Sequence, residues 1–345
     1  MRRPLLLPLM PLYAAGVALR EWKLERGWEQ VRRLRWPVIS VGNLSAGGAG
    51  KTPLVIALAR LLTNEGWRVD VLSRGYGRES RGAARVRSDG SADEFGDEPL
   101  LIAQKTGVPV WVAAERYEAG QLAESELMQA GETSAESASL VHLLDDGFQH
   151  RQLYRDVDVV LVNRQDCGDY LLPAGDLREP VEALGRASVL AIPASDHEFE
   201  EELRVCEWSG PVWRVRRRMR VPEVEGAVAA FCGIARPEQF FAGLEARGMQ
   251  VVCRRVFADH HRYSQRDVEG LLQCARKAGA QSFITTEKDH VRLGALRTAF
   301  GERLRTAELL SEFDDEASVA AWLKERLAGR QLAQDRNATE KHTTR

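Results

Sequence analysis

The residues whose types and spacing most clearly indicate chemistry form a glycine-rich stretch that ends in lysine and threonine. The sequence VGNLSAGGAGKTP occupies residues 41–53, between a short apolar run and an amphipathic helical pattern. Glycines in such a loop allow backbone N–H groups to turn toward phosphate oxygens, and the following helix adds the positive end of its dipole. The lysine would reach the β- and γ-phosphates of a nucleotide, and the threonine hydroxyl would bind Mg²⁺. We therefore predict that phosphate is bound by Gly47, Gly48, Ala49, Gly50, Lys51 and Thr52.

Two adjacent carboxylates follow a later apolar run, in LLDDG at residues 143–147. A Mg²⁺ ion at a nucleotide requires carboxylate support, and Asp145 and Asp146 would stand at the C-terminal end of a buried strand. Ligands of open α/β sheets bind at that edge. The spacing therefore predicts that this acidic pair lies beside the phosphate loop.

Two further acidic segments allow both a functional and a purely structural interpretation. Asp97, in GDEP at residues 96–99, could serve a ligand site or cap the N-terminus of a helix. In DHH at residues 259–261, Asp259 could likewise cap the helix that follows, with His260 and His261 at the surface. Local spacing leaves both alternatives open.

Apolar runs and helical patterns alternate along the chain, and this alternation indicates how the motifs are positioned. Fully apolar strands separated by helices are typical of a parallel sheet that is covered on both faces. In the segment 211–220, apolar residues alternate with arginines, which predicts an exposed strand that links two units. The predicted organisation is an N-terminal membrane-associated helical segment at 1–36, a phosphate-loop domain at 37–210, linking strands at 211–226, a smaller α/β domain at 227–329 with a helix over 316–327, and a disordered tail at 330–345.

The composition limits the classes of partner. The chain has 345 residues with 48 Lys+Arg and 50 Asp+Glu, so its net charge of −2 gives no support for nucleic-acid binding through a basic surface. Residues 1–36 differ, because they hold eight basic and three acidic residues, which predicts an anionic partner surface there.

The five cysteines form no CxxC pair, and we expect reduced thiols in a cytosolic protein.

The N-terminal segment is apolar but too short for a membrane span. Residues 4–19 are uncharged and are interrupted by prolines at positions 4, 8 and 11, whereas a span needs about 18 apolar residues or more. The flanking arginines and Trp22, Trp28 and Trp36 favour an amphipathic helix that lies on the membrane surface. The alternative is a helix that packs on the core of the protein itself.

Eight motifs together resemble those of the tetraacyldisaccharide 4′-kinase family of lipid A synthesis, and they occur in the family's order. They are VGNLSAGGAGKTP (41–53), SRGYGR (73–78), GDEP (96–99), LLDDGFQHRQL (143–153), LLPAGDLREP (171–180), FCGIARPEQF (231–240), FADHHRYS (257–264) and TTEKDHVRL (285–293). DDGFQH and TTEKD discriminate far better than a phosphate loop alone. The chain departs from the family at Asp176, where proline is more frequent, and at Ala49, where threonine is usual.

The resemblance implies a kinase that transfers the γ-phosphate of ATP to the 4′-hydroxyl of a tetraacyldisaccharide 1-phosphate, the lipid A disaccharide 1-phosphate, with ATP and Mg²⁺ as cofactors. The implied fold is α/β, with two P-loop/Rossmann-like α/β/α lobes joined by a β-strand hinge and an N-terminal amphipathic helix. The protein is expected to be a monomer without a nucleic-acid partner. It would be held by the N-terminal helix on the cytoplasmic face of the bacterial inner membrane.

The family's functional residues match positions of this sequence. The catalytic positions are Asp97, which would take or orient the proton of the sugar hydroxyl, His261, which would pair with Asp97, and Lys51. The resemblance further implies metal ligands at Thr52, Asp145, Asp146 and Glu179. Substrate contacts are implied at Tyr76 and Arg178.

Two other classes of protein also contain phosphate loops. Partitioning ATPases, which act as switches, place a second lysine before the glycine pair, where this chain has Ala46. Modules that bind nucleotide without turnover are the other class, and the intact Lys51 and Thr52 with the acidic pair argue against it. Release of ADP that depends on a lipid acceptor would distinguish the kinase from both.

Overall fold

The computed structural model describes residues 3–129, 140–205 and 208–328, so the predicted tail at 330–345 lies outside the described residues. Within these ranges the strands form one twelve-stranded sheet in the order β10-β9-β11-β12-β8-β7-β6-β1-β5-β2-β4-β3. The strands are β1 (Val38–Asn43), β2 (Arg68–Ser73), β3 (Ala84–Arg85), β4 (Val110–Val112), β5 (Leu140–Asp145), β6 (Val157–Leu161), β7 (Val189–Pro193), β8 (Val212–Arg220), β9 (Val228–Cys232), β10 (Val251–Val256), β11 (Ser282–Thr286) and β12 (Leu304–Phe313).

Helices cover both faces of this mostly parallel sheet, which confirms the predicted α/β class. Every residue of β1, β5 and β6 is buried, as their mostly apolar sequences favour. The helices are α1 (Met10–Glu25), α2 (Lys51–Asn64), α3 (Ala92–Phe95), α4 (Asp97–Thr106), α5 (Arg116–Gln129), α6 (Arg164–Cys167), α7 (His197–Val205), α8 (Pro237–Glu245), α9 (Gln265–Ala278), α10 (Glu287–Leu293) and α11 (316–328).

Two strands connect the lobes of the sheet. The first lobe contains β1–β7 and the second contains β9–β11, while β8 pairs in parallel with β7 and antiparallel with β12. β12 has ten residues, about 33 Å of extended chain, and it runs from its pairing with β11 back toward the first lobe. The helix α11 therefore packs on the first-lobe core through Val319, Leu323 and Leu327, whereas the sequence pattern assigned it to the second domain.

The expectation that all cysteines are reduced thiols is wrong for one pair. Cys253 on β10 and Cys274 on α9 form a disulfide, because α9 packs against β10 and brings their Cα atoms to 6.5 Å. Cys232 on β9 remains a buried thiol, and burial raises its pKa to about 12.

The N-terminal segment forms a 3₁₀ turn over Pro4–Leu9 that continues into α1. Its apolar side chains face outward, since Leu5 is 94% exposed and Leu12 is 76% exposed, and Leu24 is the buried residue of α1. The Tyr13 hydroxyl donates a hydrogen bond to the carbonyl of Arg178 at 3.0 Å. The apolar surface of the segment is therefore not covered by the protein's own core. Within the described ranges, no helix combines the length and the apolar character that a membrane span requires.

A charged histidine is buried at the end of the sheet that lies away from the phosphate loop. His142 Nδ1 lies 2.6 Å from Asp70 Oδ1, and His142 Nε2 lies 3.5 Å from Glu124 Oε1. The same Glu124 oxygen accepts the backbone N–H of Arg35 at 2.6 Å, so the cluster also anchors the segment that follows α1. Burial alone would lower the pKa of His142, but the two carboxylates outweigh it and raise that pKa to about 9.

This cluster predicts a specific loss of stability at alkaline pH. Because the folded-state pKa of His142 exceeds the unfolded value, its contribution is complete below about pH 6.5 and is lost as the pH rises toward 9. We expect the free energy of unfolding to fall by up to about 3 kcal/mol across that range through this group. Denaturant titrations at several pH values would measure the decline, which His142→Gln should remove. His197→Gln, at an exposed position, is the control, and an unchanged pH dependence in His142→Gln would contradict the assignment.

Candidate active site

A cleft of about 830 Å³ lies between the two lobes, at the C-terminal edge of the first-lobe strands. The first lobe contributes the phosphate loop, the acidic pair after β5 and the segment around Tyr76. The second lobe contributes the segments around Arg236 and His260 and the start of α10. Motifs that are far apart in the sequence therefore line one cavity.

The phosphate loop connects β1 to α2. Gly47 and Gly50 have φ values of 95° and 92°, a region that side-chain-bearing residues rarely adopt. Lys51 Nζ donates to Asn43 Oδ1 at 2.8 Å and lies 3.4 Å from Asp146 Oδ1. The predicted association of this loop with the acidic pair is therefore present in the structure.

The acidic residues beside the loop carry negative charge that is only partly compensated. Burial raises the pKa of Asp145 to about 7, and the nearby carboxylates of Glu98 and Asp146 act in the same direction. Burial has the same effect on Asp146, but Lys51 and Arg178 outweigh it and lower the pKa of Asp146 to about 2. Two neighbouring carboxylates thus differ in their affinity for protons, because the charges of Lys51 and Lys288 do not outweigh burial at Asp145, whereas Lys51 and Arg178 do so at Asp146.

The oxygen atoms beside the phosphate loop suit Mg²⁺, although they differ in part from the predicted metal ligands. Thr52 Oγ1 lies 3.5 Å from Glu98 Oε1, and Asp145 is buried close to the Glu98 charge. Mg²⁺ commonly uses one or two carboxylates, substrate phosphates and water, so a dedicated protein cage is not needed. Within the described part of the chain, no three His, Cys, Asp or Glu side chains form such a cage. Thr52, Asp145 and Glu98, whose Oε1 also pairs with Lys288, are the residues that could hold the ion.

The predicted ligands Arg178 and Glu179 already have protein partners. The guanidinium of Arg178 binds both oxygens of Asp146, at 2.9 and 3.1 Å, and also Asn43 Oδ1 at 2.6 Å. The Glu179 carboxylate is buried and pairs with the Arg186 guanidinium, which also pairs with Glu21. Arg178 therefore fixes Asp146 to the end of β1, and the role of Glu179 as a metal ligand stays a prediction.

Asp97 is the first residue of α4 and is buried between the lobes, so it is not the helix cap that its sequence context allowed. His260 Nδ1 lies 3.1 Å from Asp97 Oδ2, and Arg292 Nε donates to the same oxygen at 2.6 Å. The predicted pairing with His261 is wrong, because His261 Nε2 lies 3.2 Å from Asp267 Oδ2 and its ring stacks on Phe257.

The charges around Asp97 fix its protonation state. Burial would raise the pKa of Asp97, but the hydrogen bond from His260 and the charge of Arg292 hold that pKa well below its usual range. The hydrogen bond to Asp97 raises the pKa of His260 in turn. The pair is therefore a carboxylate with a histidine whose charged form it stabilises.

Backbone strain points to the same residues. Within the described ranges, the two non-glycine residues with positive φ are Asp146, at 49°, and His260, at 57°. Such conformations cost about 1–3 kcal/mol each and tend to persist where the surroundings hold a functional side chain. Asp146 belongs to the acidic pair, and His260 is the residue that contacts Asp97.

Sequence reasoning missed three residues that connect the lobes at this site. Lys288 forms an ion pair with Glu98, and Arg292 forms one with Asp97, so α10 of the second lobe binds α4 of the first. Glu98 lies beside Asp97 in the GDEP motif, and Lys288 and Arg292 lie inside the TTEKDHVRL motif. The two motifs could have drawn attention to these residues. Their pairing, across some 190 positions, could not be predicted from the sequence because it forms only in the folded chain.

Cationic side chains also line the cleft, among them Arg20, Arg74 and Arg116. Arg116 is 8% exposed, and its Nε has no hydrogen-bond acceptor among the described residues. Burial lowers the pKa of His150 to about 3, and the charges of Arg116, Arg155 and Arg20 add to the effect. Tyr76 stands at this cleft with its ring 5.0 Å from that of His260. Positive charge that lines a cavity is suited to an anionic ligand.

The family comparison agrees with this geometry. A family model described as tetraacyldisaccharide-1-P 4′-kinase matches residues 2–328. The chain belongs to this family. The resemblance that the eight motifs indicated is therefore confirmed.

Individual members of the family match over most of the chain. A tetraacyldisaccharide 4′-kinase from Koribacter versatilis (strain Ellin345) is 45% identical over 299 residues, which cover 84% of this chain and 88% of the relative. Another from Anaeromyxobacter dehalogenans (strain 2CP-C) is 40% identical over 344 residues, covering 92% and 88%. Among solved structures, an "apo" form of LpxK from Aquifex aeolicus in complex with ATP matches with a TM-score of 0.73 and 32% identity, over 93% of this chain and 98% of that one.

The contact with Asp97 predicts that the two neighbouring histidines differ in importance. His260→Gln removes the partner of Asp97, so we expect kcat for phosphoryl transfer to fall at least tenfold, with a larger loss, of order 100-fold or more, in Asp97→Asn. His261→Gln serves as the matched control and should retain activity within about threefold, since His261 contacts Asp267 instead. Steady-state kinetics on the three variants would test this, and a greater loss in His261→Gln than in His260→Gln would refute it.

Proposed function

We propose that this protein transfers the γ-phosphate of ATP to the 4′-hydroxyl of a tetraacyldisaccharide 1-phosphate and forms the 1,4′-bisphosphate. The observation that carries the proposal is that one cleft is lined by the phosphate loop of the first lobe and by His260 of the second, which contacts the buried Asp97. The first would bind the donor, and the second would meet the acceptor hydroxyl. Family membership supplies the identity of donor and acceptor.

Positioning and charge neutralisation dominate phosphoryl transfer. Lys51 and the backbone N–H groups of the loop bind the phosphates of ATP. Mg²⁺, when bound, neutralises charge on the β- and γ-phosphates, and Thr52, Asp145 and Glu98 would hold it. The Lys51 ammonium contacts Asn43 and Asp146 in this structure. It would exchange these contacts for the phosphates when ATP binds.

Asp97 acts chiefly by orienting the acceptor. A carboxylate whose pKa lies well below its usual range is a weak base, so it accepts a hydrogen bond from the sugar hydroxyl more readily than it removes the proton early. A loose phosphoryl-transfer transition state needs little nucleophile deprotonation, which makes this weak base adequate. His260 and Arg292 hold the carboxylate at one place while the hydroxyl approaches.

The acceptor side of the cleft suits a phosphorylated lipid headgroup. Arg116, Arg74 and Arg20 supply positive charge for the phosphate that the acceptor already carries, and Tyr76 borders the same space. Arg20 lies on α1, whose Tyr13 contacts the backbone of the loop at Arg178. The outward-facing leucines of the N-terminal segment would rest on the membrane that holds the acyl chains. The protein acts as a monomer at the cytoplasmic face of the inner membrane, where ATP is available.

Transfer of labelled γ-phosphate tests the reaction directly. Purified protein in detergent with Mg²⁺ should convert disaccharide 1-phosphate to labelled lipid, and Lys51→Ala should reduce the rate at least 100-fold because it removes the phosphate-binding ammonium. Lys277→Ala changes an exposed lysine of α9 and should match the wild type. Hydrolysis of ATP without labelled lipid would favour an ATPase switch, and bound but unreacted ATP would favour a binding module.

The membrane contact has its own test. Leu5→Asp combined with Leu12→Asp places charge on the exposed apolar face, so binding to vesicles of phosphatidylethanolamine and phosphatidylglycerol should weaken at least tenfold. Val205→Asp, at a position 84% exposed on α7, adds the same kind of charge elsewhere and should bind as the wild type does. Equal vesicle binding by all variants in sedimentation assays would exclude this face as the anchor.

A further inference from the structure

One side chain interrupts the apolar face of β8. Trp213 and Val215 are buried in the first-lobe core, and Met219 packs against the core of the second lobe. Arg217 lies between them on the same face of the strand, where period-two alternation would place another apolar residue. The guanidinium therefore stands where the strand crosses from one lobe to the other, beside the cleft.

Arg217 contacts the phosphate loop. Its Nη2 donates a hydrogen bond to the carbonyl oxygen of Ala49. That carbonyl precedes α2, and the residue four positions later, Pro53, has no N–H to donate to it. Since Ala49 is 5% exposed, its carbonyl requires a partner within the protein.

The loop is shaped around this guanidinium. A Cβ atom on Gly50 would lie 2.7 Å from Arg217 Cζ, and the φ of 92° at Gly50 also disfavours any side chain there. In a trans peptide the C=O and the following N–H point in opposite directions. A contact that fixes the Ala49 carbonyl therefore fixes the direction of the Gly50 N–H as well.

The other arginines of β8 have different partners. Arg214, Arg216, Arg218 and Arg220 form ion pairs with Glu200, Asp314, Glu312 and Glu308, respectively. Among the described residues, no carboxylate lies within ion-pair distance of Arg217. Arg217 is thus distinguished from its neighbours both by the face it occupies and by its backbone acceptor.

We propose that Arg217 is a positioning residue for ATP: it holds the Ala49–Gly50 peptide so that the carbonyl faces the linking strand and the N–H faces the phosphates. The inference rests on the proposed function, in which the loop binds ATP. Arg217 touches the loop and acts through it. Its loss therefore weakens the affinity for ATP while the acceptor end of the cleft keeps its geometry.

Titration calorimetry with ATP and steady-state kinetics on the full chain test the proposal. Arg217→Met should raise the Kd and KM for ATP about tenfold or more, because a hydrogen bond from a charged donor is lost and the loop is no longer fixed. The KM for the lipid acceptor should change less than twofold. Arg218→Met removes the same charge from the next residue, on the opposite face, and should leave both KM values within twofold of wild type.

Further variants separate the possible failures. The glutamine of Arg217→Gln is uncharged and too short to reach the Ala49 carbonyl, so this variant should lose the same affinity for ATP. It replaces Arg217→Met in the test if Arg217→Met does not fold. ATP affinity equal to wild type in a folded Arg217 variant, together with lost binding in Lys51→Ala, would overturn the inference and leave the proposed function intact. An equal rise of both KM values would also overturn it, because it would indicate a general structural role. Wild-type ATP binding in Lys51→Ala would instead contradict the proposed function.

Discussion

The contact between Asp97 and the cations of the second lobe is the interaction on which the arrangement of the cleft depends. Asp97 and Arg292 have side chains that are each 5% exposed, so neither charge can be left without the other. Removing one partner of such a buried pair costs about 3–5 kcal/mol, since the remaining charge stays desolvated. The same contact places His260 beside the carboxylate and brings α10 against α4. The contact that joins the two lobes therefore also positions the Asp97–His260 pair.

Charged groups of both signs line the cleft close together. Beside the phosphate loop, Asp145 and Glu98 present carboxylate oxygens. Arg116 adds positive charge near the same acidic pair, since the Asp146 and Asp145 charges oppose the lowering of its pKa by burial. Under the proposed function, the carboxylates would meet a divalent cation and the arginines a phosphorylated ligand.

The sequence was informative where function depends on contiguous residues. The loop at 41–53 and the acidic pair at 145–146 are local patterns, and the structure brings them together as predicted. The choice between His260 and His261 was not decidable from the sequence, because it depends on the positive φ of His260. The pairing of Glu179 with Arg186 could not be read from the sequence, and Arg292 was overlooked because its partner Asp97 is 195 positions away. The position of α11 on the first lobe depends on the length of β12, which the sequence pattern underestimated.

The return of α11 to the first lobe has a consequence for how the chain folds. Val319, Leu323 and Leu327 complete a core that also contains Ile39 of β1 and Leu58 of α2. During synthesis, the ribosome releases β1 and α2 long before these residues emerge. The first lobe therefore exposes part of its apolar surface until the second has been made, and late long-range contacts of this kind slow folding. Because β12 pairs with strands of both lobes, we expect the two to gain stability together, as a single cooperative unit and not as independent domains.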